Sequence, residues 1–329
     1  MIKAYHSWKI IIILILVTLL LMLLSITQGE YPISVWVVLK TLFGWSGNPD
    51  AALVIYNLRL PRMLVAWLVG IALAISGTLL QSLTLNPLAD SGIIGINGGA
   101  AFAAVMLLVV FKSTYLAFLP FAAFVGGMSV AMAIYGLAWY RSSSTLRLIL
   151  VGIGLNLIFS AITNIIITFG NIQSVSQALV WLVGSVYGKG WSDVVVLLPW
   201  VIILSIFSWY LSKQLNALSL GEELARGLGV EIKFYRLILL LIAVALASGA
   251  VAIAGTIGFV GLIAPHLARL WVGNIHSWLI PVAALWGGFL VVSADLVGRC
   301  LFAPLEIPCG IITAILGAPY FLYLLQKKL

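Results

Sequence analysis

Leu215-Asn216-Ala217-Leu218-Ser219-Leu220-Gly221-Glu222-Glu223-Leu224-Ala225-Arg226-Gly227-Leu228-Gly229-Val230 is a polar island between two long apolar runs, residues 194–211 and the stretch from 237 to about 255. It reads as a short helix outside the membrane, within a cytoplasmic segment of about 213–236. Ser219 and Glu222, three apart, have the spacing of a capping box. Glu222 and Arg226, four apart with the acid first, have the favourable order for an ion pair, and Gly229 supplies a left-handed stop. Leu220, Leu224 and Leu228 then share one face. A helix this short is marginal alone in water, so the leucine face needs a partner. An ordinary connector packed on its own chain and a peg for a second protein both satisfy that need.

The flanking runs set the class. Of 329 residues, 63% are hydrophobic and 8% charged, with a mean hydropathy of +1.21. A soluble domain carries about 25% charged residues. Several uncharged stretches reach the ~20 residues of a spanning helix, so the expected fold is all-α, a single polytopic membrane domain over 1–329. The expected spans are about 10–26, 63–80, 92–111, 116–140, 148–169, 194–211, 237–255, 256–269, 278–302 and 310–325. Residues 10–26 lack a small-residue cleavage site and read as a retained first helix.

The net charge of +8 reads as topology rather than nucleic-acid binding. With the N-terminus inside, inner segments hold Lys3, Lys9, Arg141, Arg147, Lys213, Arg226, Lys233, Arg236, Arg269, Lys327 and Lys328. Outer segments hold Lys40, Arg59, Arg62, Lys112, Lys189 and Arg299. That bias favours both termini in the cytoplasm. Cys300 and Cys309 are read as unpaired thiols. Glycines gather at 92–99 and 255–261, where they permit close packing or broken helices; breaks in both halves and at opposite sides hint at an inverted repeat.

Chemistry-bearing residues are sparse. Asp295 and Arg299 lie four apart in the ninth span, where an unpaired charge costs a few kcal/mol; an intrahelical ion pair is the simple reading. Arg59 and Arg62 bracket Leu60-Pro61, and the pre-proline position disfavours helix. Two arginines at a helix start suit either carboxylates of a docking partner or lipid phosphates. His6, His266 and His276 are scattered, with His266 read as a structural donor or acceptor. No phosphate loop, paired-histidine metal motif or nucleophile with its base is present, so no catalytic residue, metal site or resident cofactor is expected.

The order of motifs resembles the permease family of iron-siderophore, haem and cobalamin importers, the type II ATP-binding-cassette importers. The resemblance rests on Arg59-Leu60-Pro61-Arg62, residues 69–77 with Gln81, Asn86-Pro87-Leu88-Ala89, Gly95 and Gly98-Gly99-Ala100. It continues through Leu218-Ser219-Leu220-Gly221-Glu222, Ala225, Leu228-Gly229-Val230, residues 257–262, Pro265-His266 and Arg269. Asp295, Arg299, Glu306-Ile307-Pro308, Gly317-Ala318-Pro319 and Phe321 complete it. Cys309 and Asp90-Ser91 depart from the usual pattern.

The resemblance implies a dimer of ten-helix subunits in the bacterial cytoplasmic membrane, the second being this chain or a paralogue. It implies an extracytoplasmic substrate-binding protein docked on Arg59, Arg62 and Arg299, and two ATPase subunits that alone bind ATP. The ATPases would receive Ser219, Leu220, Gly221, Glu222, Leu224, Ala225, Leu228 and Gly229, and Ser144 and Thr145 match a cytoplasmic gate. The implied cargo is an iron(III)-siderophore, with haem and cobalamin as alternatives; an ion-driven secondary carrier is the reading from a different class.

Overall fold

A backbone in lipid has no water to bond, so each spanning segment must satisfy its own amides. In the computed structural model the described residues are 2–29, 31–45, 48–92, 95–111, 117–139, 145–301 and 304–328, and their regular structure is helical throughout. The first half comprises α1 (Ile2–Thr27), α2 (Val35–Leu42), α3 (Pro49–Leu53), α4 (Leu60–Leu83), α5 (Ile96–Val105), α6 (Leu119–Ile134) and α7 (Thr145–Phe169). The second comprises α8 (Ile172–Val183), α9 (Trp191–Tyr210), α10 (Ser212–Leu218), α11 (Glu222–Gly227), α12 (Ile232–Ala254), α13 (Val260–Val272), α14 (His276–Cys300) and α15 (Cys309–Lys328).

All ten expected spans coincide with apolar helices. Seven are long enough to cross a membrane, while Ile96–Val110, Val260–Val272 and Cys309–Leu324 are shorter. The amphipathic α8 and the short α2 were not expected. Cys300 and Cys309 are both free.

The fold is organised on α4, which is buried along most of its length. Glycine makes this possible. A Cβ on Gly70 would lie 2.2 Å from the Gly287 carbonyl oxygen of α14, and one on Gly77 would lie 1.9 Å from the Gly261 carbonyl oxygen of α13. Helices in lipid gain little from hydrophobic exclusion, so close backbone contact supplies the attraction. Gln81 of α4 ties α13 further: its Nε2 donates to the Gly261 carbonyl at 3.0 Å, and its Oε1 accepts from Arg269 Nη1 at 2.5 Å.

Leu60 does not break the helix before Pro61. It is right-handed helical at φ −63°, ψ −51°, and a π-helical segment, Val54–Arg59, leads without interruption into α4. The wide π turn relieves the steric conflict that a proline imposes on the preceding α turn.

The two glycine-rich breaks start from opposite ends of the bundle and meet inside it. Gly255 is left-handed at φ +72° and ends α12; Phe259 is left-handed at φ +67° and opens α13. Asp90, in the break after α4, accepts from the Ser91 amide at 2.8 Å and from the Phe259 amide. It sits where a Cβ on Gly261 would fall. Burial pushes the Asp90 carboxyl above its usual pKa range, against the opposing pull of those hydrogen bonds.

Candidate functional site

α4 and α14 lie side by side and carry a cluster of polar residues at each end. From Arg62 to Ser82 is twenty residues, about 30 Å of α-helix, so the clusters are separated by roughly a bilayer core.

At the arginine end, Arg62 donates from Nε and Nη2 to Asp295 Oδ1, at 3.1 and 2.7 Å. Its Nη1 donates to Glu306 Oε2 at 2.8 Å. Arg299 Nε lies 3.2 Å from Asp295 Oδ2. The expected intrahelical pair of Asp295 and Arg299 is therefore present, but Arg62 from α4 shares the acid. Charges this buried persist because each has an opposite partner.

The remaining arginine donors turn toward α1. Arg59 donates to the Ile26 carbonyl at 2.6 Å and the Tyr31 carbonyl at 2.5 Å. Arg299 Nη2 donates to the Ser25 carbonyl at 3.1 Å and to Ser25 Oγ at 2.7 Å. These groups belong to the last turn of α1 and the chain just beyond it, where carbonyls lack helical partners and the dipole is negative. The arginines thus hold down the end of a helix, a role the sequence reading missed.

Arg59, Arg62 and Arg299 nevertheless open onto one cavity of about 470 Å³, together with Lys189, Tyr31, Tyr187 and Glu306. Among the described residues, four cations and one carboxylate line it. The Tyr187 ring lies under the Arg62 guanidinium at 5.5 Å. Lys189 and Tyr187 sit in the turn after α8, so they come to this cavity only through tertiary packing.

The other end holds the polar island. α10 buries Leu215, Ala217 and Leu218; a turn through Gly221 at φ +101° leads into α11; and Gly229 at φ +77° closes it as expected. Ala225 is fully buried, whereas Leu220, Leu224 and Leu228 are 59%, 61% and 65% exposed. The helix is shorter than expected: Leu220 precedes its N-cap and Leu228 is its C-cap, so only Leu224 lies within it, because the left-handed backbone of Gly221 separates Leu220 from the helical turn. All three leucines are nevertheless exposed, and none is buried against the described residues.

The capping box does not form. Ser219 still belongs to the end of α10, and its hydroxyl donates to the Asn216 carbonyl at 2.7 Å, satisfying that helix's last turn. Gly221 is the N-cap of α11, without a side-chain cap. Glu222 pairs with Arg236 of α12 at 2.7 Å rather than with Arg226, so it ties the small helix to the bundle.

Asn216 reaches inward. Its Oδ1 accepts from the His276 amide at 3.0 Å and lies 2.6 Å from His276 Nδ1, while His276 Nε2 lies 2.6 Å from Ser82 Oγ on α4. Sequence reading left His276 without a role, since its two partners come from distant segments. His266 packs edge-on against Tyr320 at 5.8 Å. Of the expected gate, Ser144 lies outside the described residues and Thr145 is the first residue of α7.

Residues 15–327 match the FecCD transport family. The chain is 43% identical over 327 residues to the Bacillus subtilis permease YfhA, named for a siderophore transport system, covering 98% of this chain and 95% of that one. It is 43% identical over 311 residues to the iron(3+)-hydroxamate import permease FhuG of the same organism, covering 92% of each. The hemin transport permease HmuU of Yersinia pestis is 39% identical over 293 residues, covering 88% of each. A solved structure described as a metal-chelate type ABC transporter in an inward-facing conformation superposes with a TM-score of 0.87 at 33% identity. The superposition covers 97% of this chain and 99% of that one.

Proposed function

The chain belongs to the FecCD transport family, and we propose on that premise that it is the membrane-spanning subunit of an ATP-driven importer of iron(III)-siderophore complexes. It works with a second permease subunit, this chain or a paralogue, in the bacterial cytoplasmic membrane. Both termini are cytoplasmic, so the arginine end faces outward and the polar island inward. An extracytoplasmic binding protein docks acidic residues on the cavity of Arg59, Arg62, Lys189 and Arg299. Two ATPase subunits receive the face of Leu220, Leu224 and Leu228. The chain itself neither binds nor hydrolyses ATP.

The observation that carries this reading is the arrangement of α4 and α14. A basic cavity sits at one end, three exposed leucines at the other, and one pair of helices links them. A machine driven from outside the membrane needs such a link. ATP-driven closure of the ATPases would move α11 and rock the bundle between two accesses, in the manner of two-state domain movement. The siderophore assignment draws on the relatives' names, and haem is the second cargo they support.

The test is uptake into vesicles holding the permease dimer, its ATPases and the binding protein. Labelled iron(III)-siderophore should enter only with ATP inside and binding protein outside. Uptake driven by an ion gradient without ATP would establish the secondary carrier instead. Entry of hemin with exclusion of the siderophore would reassign the cargo.

A further inference from the structure

Besides the buried apolar residues of α10 and the Glu222–Arg236 pair, a buried imidazole joins the polar island to the bundle. His276 is the first residue of α14 and is 3% exposed. On one side it meets Asn216, which lies three residues before the turn into α11. On the other it meets Ser82, in the last turn of α4.

The hydrogen bonds define how it is held. The His276 amide donates to Asn216 Oδ1, which fixes that oxygen as an acceptor facing the ring. Nδ1, 2.6 Å from the same oxygen, therefore carries the proton. In a neutral ring Nε2 is then an acceptor, and the Ser82 hydroxyl donates to it at 2.6 Å. The hydroxyl's alternative acceptor is the Thr78 carbonyl, 2.9 Å away. Each ring nitrogen thus engages a different element, the Ser82 contact fully buried and the Asn216 contact partly so.

We infer that the Asn216–His276–Ser82 bridge is the joint that transmits displacement of the polar island to α4 and α14, with His276 as its positioning residue. The far end of the same helix pair is fastened by Arg62 on Asp295, and its middle by the contact of Gly70 with Gly287. Movement delivered at His276 therefore reaches both helices together and arrives at the cavity about 30 Å away. The inference rests on the reading of the polar island as the ATPase-facing segment, and it adds the route by which that segment acts.

Isosteric substitution separates the joint from mere packing. In His276→Asn the side-chain amide replaces Nδ1 and keeps Asn216 but loses Ser82. In His276→Gln it replaces Nε2 and keeps Ser82 but loses Asn216. The measurement is siderophore uptake per ATP hydrolysed in the reconstituted complex, alongside co-purification of the ATPases. Both variants, and Asn216→Ala, should lower uptake per ATP at least tenfold with the ATPases still bound. The double variant Asn216→Ala/His276→Ala should be no worse than either single one.

A wild-type ratio in either His276 variant overturns the joint. So does a multiplied loss in the double variant. Should the His276 variants fail to assemble, Ser82→Ala removes one hydroxyl and must still lower the ratio; an unchanged ratio there overturns the inference. Leu224→Arg serves as the reference. If it leaves coupling intact, the ATPase-facing reading of the polar island fails. If it uncouples while the His276 variants behave as wild type, the joint alone fails.

Discussion

Gly70 and Gly287 meet backbone to backbone: a Cβ built on either would fall 2.2 Å from the carbonyl oxygen of the other. Neither site has a flexible side chain to yield, so Gly70→Ala and Gly287→Ala should each cost about 3 kcal/mol, the upper range for overpacking. Thermal unfolding of the detergent-solubilised protein checks this. Gly154→Ala is the control, because a Cβ there meets nothing within 4 Å and should be neutral or slightly stabilising. Equal melting temperatures for Gly70→Ala and Gly154→Ala would refute the packing account.

Asp295 neutralises two arginines, so removing it should be worse than removing the whole pair. Asp295→Ala leaves Arg62 and Arg299 facing each other and should destabilise by about 3 kcal/mol or more. The double variant Arg62→Met/Asp295→Leu removes one of the two stranded arginines and should regain part of that loss, the remainder belonging to Arg299, which still lacks its counter-charge. A double-mutant cycle on melting temperature reads this, and additive losses would contradict the buried pair.

At the polar island, function and local stability should separate. Leu224→Arg and Glu222→Arg should cut ATP-driven uptake below a tenth while membrane insertion stays normal; the second also places a cation beside Arg236. Ser219→Ala should change little, because its hydroxyl caps only the end of α10. Gly221→Ala should impair uptake, since φ +101° strains any residue with a Cβ. Vesicle uptake with parallel immunodetection distinguishes the outcomes.

Lys189 tests the basic cavity more cleanly than Arg59, whose removal would also release the end of α1. Lys189→Glu should weaken binding-protein affinity about tenfold in low salt, roughly 1.4 kcal/mol. The deficit should shrink as salt shortens the screening length. Arg59→Glu/Arg62→Glu should show the same salt dependence on top of lower stability. Affinity that does not change in low salt would count against docking at this cavity.

The spans were legible because lipid forces long uncharged runs, and all ten fell on helices. The short amphipathic α8 was not, since twelve residues with a polar face do not resemble a span. Arg59, Arg62 and Arg299 could be grouped from sequence, yet the α1 carbonyls that hold them carry no sequence signature. Ser219 and Glu222 had the spacing of a cap, but a tertiary partner, Arg236, outweighed a local one. His276 stayed obscure because Asn216 and Ser82 lie 60 and 194 residues away. Spacing rules register neighbours along the chain, and this joint has none.

Leu220, Leu224 and Leu228 give any copy that is made without companions a greasy handle in water. Surplus subunits would clump or be cleared by quality-control proteases. Cells therefore gain by synthesising the whole set in matched amounts, and overexpression of this polypeptide by itself should yield poorly behaved material.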